Sequence, residues 1–155
     1  MSLVCAAMLL LVIFHTGCDS GTTGAPNGFQ WYQDYEYDYR LMYPQDWNIM
    51  PDDEGTIVDN RIKSVKMFKE PSDDSSAQVA VFVYSEYDLN ELKALGGNET
   101  WLNGREAFRL DQGSMIIVAV AGDEYDYTIV CVAEPDLFLE RLEVFDRIIE
   151  SFALP

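Results

Sequence analysis

The sequence predicts an α+β domain, an antiparallel β-sheet flanked by helices. Three observations carry that expectation. Short runs alternate apolar with polar residues or stay apolar throughout, turn signals such as Asn103-Gly104 separate them, and one 3.6-periodic apolar stripe lies near the C-terminus. With 155 residues, 48% of them hydrophobic and 13% aromatic, the chain suffices for one core and leaves no room for two.

The first element is read from "YEYDYRLMYPQDW" (35–47). Tyr35, Tyr37, Tyr39, Leu41 and Tyr43 alternate with Glu36, Asp38, Arg40 and Met42, and this period of two predicts one half-buried strand. Pro44 ends it, and "PQDW" reads as a helical turn that returns Trp47 to the core. "MPDDEGTIVDN" (50–60) is an acidic loop, and "IKSVKMFKE" (62–70) a second strand with Lys63 and Lys66 outward. "EPSDDSSA" (70–77) is turn-forming, and "QVAVFVYSEY" (78–87) is a third strand. Asp88 caps a short helix, "DLNELKAL", that stops at Gly96-Gly97. "TWLNGREAFRLD" (100–111) carries Asn103-Gly104 between alternating runs and predicts a hairpin. "SMIIVAVA" and "YDYTIVCVA" flank "GDE" in a second hairpin, apolar enough for the middle of a sheet. From Glu134-Pro135-Asp136 a last helix presents Leu137, Phe138, Leu142, Phe145, Ile148 and Ile149 as one stripe.

The N-terminus differs from all of this. Leu3 to Phe14, "LVCAAMLLLVIF", is apolar and uncharged, too short to span a bilayer and suited to the core of an export signal. Thr16-Gly17-Cys18 then resembles the lipobox of prokaryotic lipoproteins, in which cleavage precedes a cysteine that receives diacylglycerol. His15 stands where that family prefers an aliphatic residue, and no Lys or Arg precedes the apolar run. The expected organisation is a lipoprotein-type signal peptide at 1–17, a flexible Gly/Ser/Thr tether at 18–28 and one domain at 29–155. Cys18 is the lipidation site, Cys5 leaves with the signal, and Cys131, inside the apolar "YTIVCVA", is a buried thiol acting as a small hydrophobe. The expected location is the cell membrane, lipid-anchored on the extracytoplasmic side.

Three motifs in order carry a further resemblance. "YRLMYPQDW" resembles the opening "Y-x-x-x-YP-x-x-W" of PsbP-like domains, "WLNGREAFRL" their central "NG-x-x-A" hairpin, and "YTIVCVAEPDLFLERLEVFDRIIESF" their closing strand and helix. The resemblance covers residues 29 to 155 and implies an α/β/α sandwich. The superfamily includes the extrinsic subunit of photosystem II, a Ran-binding import factor and small prokaryotic lipoproteins. Its better-known members bind partners or help assemble complexes, and none is a hydrolase or a transferase. Tyr39, Tyr43, Pro44 and Trp47 are then framework, while Tyr32, Tyr35 and Tyr37 lie upstream of the signature and are candidates for a partner surface that stacks on sugars or receives a protein.

Charge and residue chemistry narrow the function. The formal net charge is −17, from 27 acids against 10 bases, a field that repels nucleic acid and anionic lipid. The only histidine is His15, so a processed chain has no Ser-His or Cys-His site, no histidine base and no usual zinc site. No Gly-rich phosphate loop opens a helix, and "NET" (98–100) is a glycosylation sequon. Asp52, Asp53, Glu54 and Asp59 form a candidate calcium loop, set against the ordinary solvated loop that so acidic a chain produces. Arg105 and Arg109, four apart in a strand, share a face and either receive a partner carboxylate or pair internally.

These readings converge on a non-enzymatic binding or assembly module without a cofactor. It is held at the membrane by its lipid and serves an unidentified protein partner; nucleic acid is not a partner. The alternative is a calcium or small-ligand binding protein built on the acidic loops.

Overall fold

The computed structural model describes residues 24–51, 59–72 and 77–155. The signal segment, Cys18, most of the tether, and Asp52, Asp53 and Glu54 lie outside the described residues.

The described residues form, in chain order, β1 (Phe29–Asp34), β2 (Tyr39–Pro44), β3 (Asn48–Ile49), β4 (Ile62–Lys69), β5 (Gln78–Tyr84), α1 (Leu89–Ala94), β6 (Asn98–Leu102), β7 (Arg105–Gln112), β8 (Met115–Ala121), β9 (Asp126–Val132) and α2 (Pro135–Ser151). Seven strands form one antiparallel sheet in the order β3-β4-β5-β9-β8-β7-β6, and β1 and β2 form a separate hairpin. The fold class is the α+β arrangement read from the sequence. The NG and GDE hairpins, the Asp88-capped helix and the long C-terminal helix stand where that reading placed them. Asp88 Oδ1 accepts from Asn90 N at 2.9 Å, and Asn103 and Gly104 take φ of 48° and 83°.

Two elements differ. The strand expected from Tyr35 begins only at Tyr39. Asp34 Oδ1 accepts from the backbone N–H of both Glu36 and Tyr37 at 3.0 Å, and Asp38 takes φ 47°, so the chain reverses on itself. The upstream segment FQWYQD becomes a strand of its own, β1, paired residue by residue with β2. Lys66, expected outward with Lys63, instead shares the inner face with Phe68. A register shift between Ile62 and Ser64 separates the two lysines, and the Lys66 ammonium sits 6.0 Å from the Tyr32 ring centroid.

One face of the large sheet is built over completely. Val79, Val81 and Val83 of β5, Tyr127, Ile129 and Cys131 of β9, and Ile116, Val118 and Val120 of β8 point into it. They meet Phe138, Phe145, Ile148 and Ile149 of α2 and Tyr39, Leu41 and Tyr43 of β2. Pro44 closes the strand, and Trp47 N donates to Pro44 O at 3.1 Å, the turn that buries Trp47 beneath the hairpin.

The C-terminal end of α2 joins all the pieces. No basic side chain stands in its last turn. Asn103 Nδ2, from the β6–β7 turn, donates to the carbonyls of Phe152 and Glu150 (3.1 Å to the latter). Ser151 Oγ donates to Ile148 O and accepts from Met42 N, both at 2.7 Å, and Arg40 and Ala153 exchange two backbone bonds. Phe152 stacks on Tyr39 with ring centroids 5.6 Å apart. Asn103→Gly keeps the positive φ and removes both side-chain bonds, so it should cost about 1–2 kcal/mol. Asn103→Ala loses the left-handed preference too and should cost about 1 kcal/mol more. Urea midpoints check this; a glycine variant as stable as the native chain would show that the helix end is not held by Asn103.

Candidate functional site

The opposite face of the large sheet is apolar as well, because the central strands carry hydrophobic residues at successive positions. Cross-strand register sets Met67, Ala80, Val130, Ile117 and Leu110 in one row over β4, β5, β9, β8 and β7. Val65, Phe82, Thr128, Ala119 and Phe108 form the adjacent row. No charged side chain stands in either row.

Coverage is unequal. α1 seats Leu92 on Phe108, Leu110 and Ala119, with Tyr87 and Leu89 beside it, and its main contacts are with β7 and β8. Among the described residues, α1 and the segment leading into it are what packs on this face. Over β4, β5 and β9 the side chains of Val65, Met67, Phe82 and Val130 remain partly exposed. The result is a half-covered apolar face, along which an aromatic series runs from β5 toward α1: Phe82 and Tyr84 lie 6.3 Å apart and Tyr84 and Tyr87 5.0 Å. Thr128 of β9, buried between Phe82 and the α1-covered Ala119, has a hydroxyl without a hydrogen-bond partner among the described residues. Leu95, 71% exposed, follows α1, and Trp101, 73% exposed, stands on β6 at the far margin beside Glu99 and Glu106.

The residues singled out from the sequence lie on the other side of the sheet and are only partly brought together. Tyr37 and Arg105 line a notch of about 160 Å³ with Asp38, Asp123, Tyr125 and Tyr127. Sites that enclose a drug-sized ligand are about 300–1,000 Å³, so the notch is small for one. Arg105 forks onto Asp123 at 3.2 and 2.9 Å, and the hydrogen bond holds the Asp123 carboxyl below its ordinary range. Tyr127 donates to Tyr37 O at 2.7 Å, and burial pushes its phenol up to about 12. Tyr32 packs edge-on against Phe68 at 5.3 Å, while Tyr35 projects into solvent at the hairpin tip, 86% exposed. Arg109 reaches Asp111 at 2.9 Å and Asp146 of α2 at 2.8 Å. Of the candidate calcium residues only Asp59 is described. Its carboxylate holds Arg61 at 2.8 Å, and that hydrogen bond keeps the carboxyl below its usual range. Burial drives the Cys131 thiol far up, as expected of a packed hydrophobe.

Arginine use is uniform. Arg61, Arg105, Arg109, Arg141 and Arg147 each bond a carboxylate, and Arg40 lies 5.0 Å over the Trp31 ring. The sequence reading did not identify this half-covered apolar face. Its signal was present in "QVAVFVY", "MIIVAVA" and "YTIVCVA", which are apolar on both faces in a chain offering one long helix and one short one.

No protein-family model and no curated protein matches the sequence. Among solved structures, that of cyanobacterial PsbP (CyanoP) from Synechocystis sp. PCC 6803 superposes with a TM-score of 0.60 over 87% of this chain and 96% of that one, at 13% identity. The fold is PsbP-like. The three motifs that resembled PsbP-like domains thus sit in a PsbP-like frame: Tyr39, Tyr43 and Trp47 under the hairpin, Asn103-Gly104 at the turn, and the closing strand and helix as β9 and α2.

Two measurements follow from this geometry. Replacing the orphan hydroxyl with a methyl, Thr128→Val, should raise stability by about 1 kcal/mol in chemical denaturation; a loss would mean the hydroxyl is bonded in solution. A phenol whose folded pKa is raised stabilises the protein fully below pH about 10 and loses that contribution as pH climbs from about 10 to 12. Tyr127→Phe should therefore flatten the alkaline fall in stability by about one proton, and an unchanged slope would place Tyr127 in an ordinary environment.

Proposed function

We propose that the chain is a non-enzymatic binding or assembly module, exported and held by lipid on Cys18 at the outer face of the cytoplasmic membrane. The observation that carries this reading is the apolar face over β4, β5 and β9, where Val65, Met67, Phe82 and Val130 stay partly exposed among the described residues. Monomeric soluble proteins rarely leave a contiguous apolar patch on view without using it for contact. The PsbP-like fold supports the reading, since the better-known proteins of that type bind partners and do not transform substrates. The acidic notch is small, and its one arginine is held by Asp123.

Tethering would add to a modest interface. A lipid on Cys18, some ten residues ahead of the domain, would confine the domain near the membrane and raise its effective concentration toward partners there. The test is cross-linking of the native protein in its own membranes, beside a Cys18→Ser form that cannot be lipidated, with captured proteins identified by mass spectrometry. One membrane complex recovered with the native form and lost with the control is the expected result. Equal recovery from both would remove the anchor from the proposal, and no specific capture from either would remove the assembly role.

A further inference from the structure

We infer that Asn103 is a self-modification site, where the side-chain amide is lost as ammonia to the following glycine and the grip of that amide on the end of α2 sets the timing. The chain holds two Asn-Gly pairs, Asn27-Gly28 and Asn103-Gly104. In such a pair the backbone nitrogen of the glycine attacks the asparagine Cγ. The new C–N bond closes a succinimide ring, the old C–N bond breaks, and ammonia departs. Water then opens the ring to aspartate, or to isoaspartate, in which the backbone runs through the side-chain carboxyl. Nothing but water is consumed, and no oxidant or reductant takes part. Glycine favours the attack because no side chain shields its nitrogen.

The two pairs are matched in access. All four residues are exposed, and a Cβ on Gly28 or Gly104 would meet nothing within 4 Å. Both glycines take positive φ, 86° and 83°. The amides differ. Asn27 lies ahead of β1, and its side chain makes no hydrogen bond among the described residues. Asn103 Nδ2 donates to the carbonyls of both Glu150 and Phe152, which uses the two donors of the amide. The leaving group is thus free in solvent at Asn27 and clamped to a helix end at Asn103. That clamp must release before the nitrogen can depart, so the reaction at Asn103 waits for the β6–β7 turn to lift off α2. Local opening of this kind is rarer than simple exposure.

Conversion is one-way, and the helix end has no place for the product. An ionised aspartate accepts hydrogen bonds and donates none, so at position 103 it sets a carboxylate against two carbonyl oxygens. It also stands at the negative end of α2, where no basic side chain occupies the last turn. Isoaspartate further lengthens the turn between the paired residues Leu102 and Arg105. The opening that admits the reaction therefore cannot close again as before, and the tie between the sheet and the long helix is lost. At Asn27 the same chemistry alters only a residue ahead of β1.

The experiment incubates the full chain in heavy-oxygen water, folded and in urea, and follows both sites by peptide mapping with mass spectrometry. Heavy oxygen enters at each conversion and separates it from earlier damage. In the folded chain Asn27 should convert faster than Asn103 by about tenfold or more, and in urea the two rates should converge. This comparison needs no variant. Ser151→Ala removes the bonds to Met42 N and Ile148 O and leaves Asn103 in place. It should raise the Asn103 rate by about threefold or more and leave the Asn27 rate unchanged. Equal rates at the two sites in the folded chain would overturn the inference, as would an Asn103 rate that urea does not raise. Asn103→Asp tests the product: its urea midpoint should fall below that of Asn103→Gly, which lacks the donor but adds no charge. A midpoint equal to that of the native chain would overturn the one-way step. Should Asn103→Asp not fold, the same readout is made on aged native chain, whose converted fraction should unfold at lower urea than the rest.

Discussion

The end of α2 is the constraint on which the rest of the structure depends. A helix terminus leaves carbonyls without intrahelical partners, and here the help comes from a distant part of the chain. Asn103 reaches the carbonyls of Glu150 and Phe152 from the β6–β7 turn, and Ser151 and Ala153 bond the hairpin strand through Met42 and Arg40. One short segment thus ties the sheet, the long helix and the β1–β2 hairpin together. Phe152, stacked on Tyr39 and tilted against Tyr127, fills the junction with apolar volume. The long helix and the hairpin are both committed to the same face by this knot. Among the described residues, the other face is left to a helix of six residues and the segment leading into it.

That asymmetry explains which parts of the fold were legible in the sequence. Elements governed by local chemistry are readable: the Asp88 cap, the left-handed Asn103-Gly104 turn, Pro135 at the start of α2 and the stripe ending at Ile149 all follow from residue type and spacing. The error at Tyr35 has the same origin seen from the other side. Alternation continued through Tyr35 and Tyr37, yet Asp34 offered its carboxylate to two following N–H groups and won the competition for local geometry. β1 was invisible because FQWYQD alternates weakly and is defined by its pairing with β2. The PsbP-like motifs were legible because they mark turns and corners, where few residue types fit. The half-covered apolar face was not, since exposure depends on how the described helices are shared between two faces, a long-range outcome.

Charge and hydrophobicity act on this surface in opposite directions. An apolar floor over three strands favours association with any complementary surface, including itself. The chain's acidic field works against self-association, and screening limits that field to about 8–10 Å at physiological salt. Arginine use sharpens the effect. Five of the six arginines hold carboxylates of the same chain, so the basic groups lock internal elements together, as Arg109 does between β7 and α2 and Arg141 between α2 and Glu70. The surplus presented outward is negative.

Thr128 shows how far the open face departs from a finished core. On the packed face the same strand presents Tyr127, Ile129 and Cys131, with Tyr127 bonded to Tyr37 O and the other two apolar. On the open face a hydroxyl lies buried between Phe82 and Ala119 with nothing described to receive its proton, at a cost of about 1–3 kcal/mol that valine would avoid. A core optimised only for stability has no reason to retain it. Its place is on β9, between Phe82 on the half-covered side and Ala119 beneath Leu92 of α1, so the polar exception stands where the layer laid down by α1 ends among the described residues.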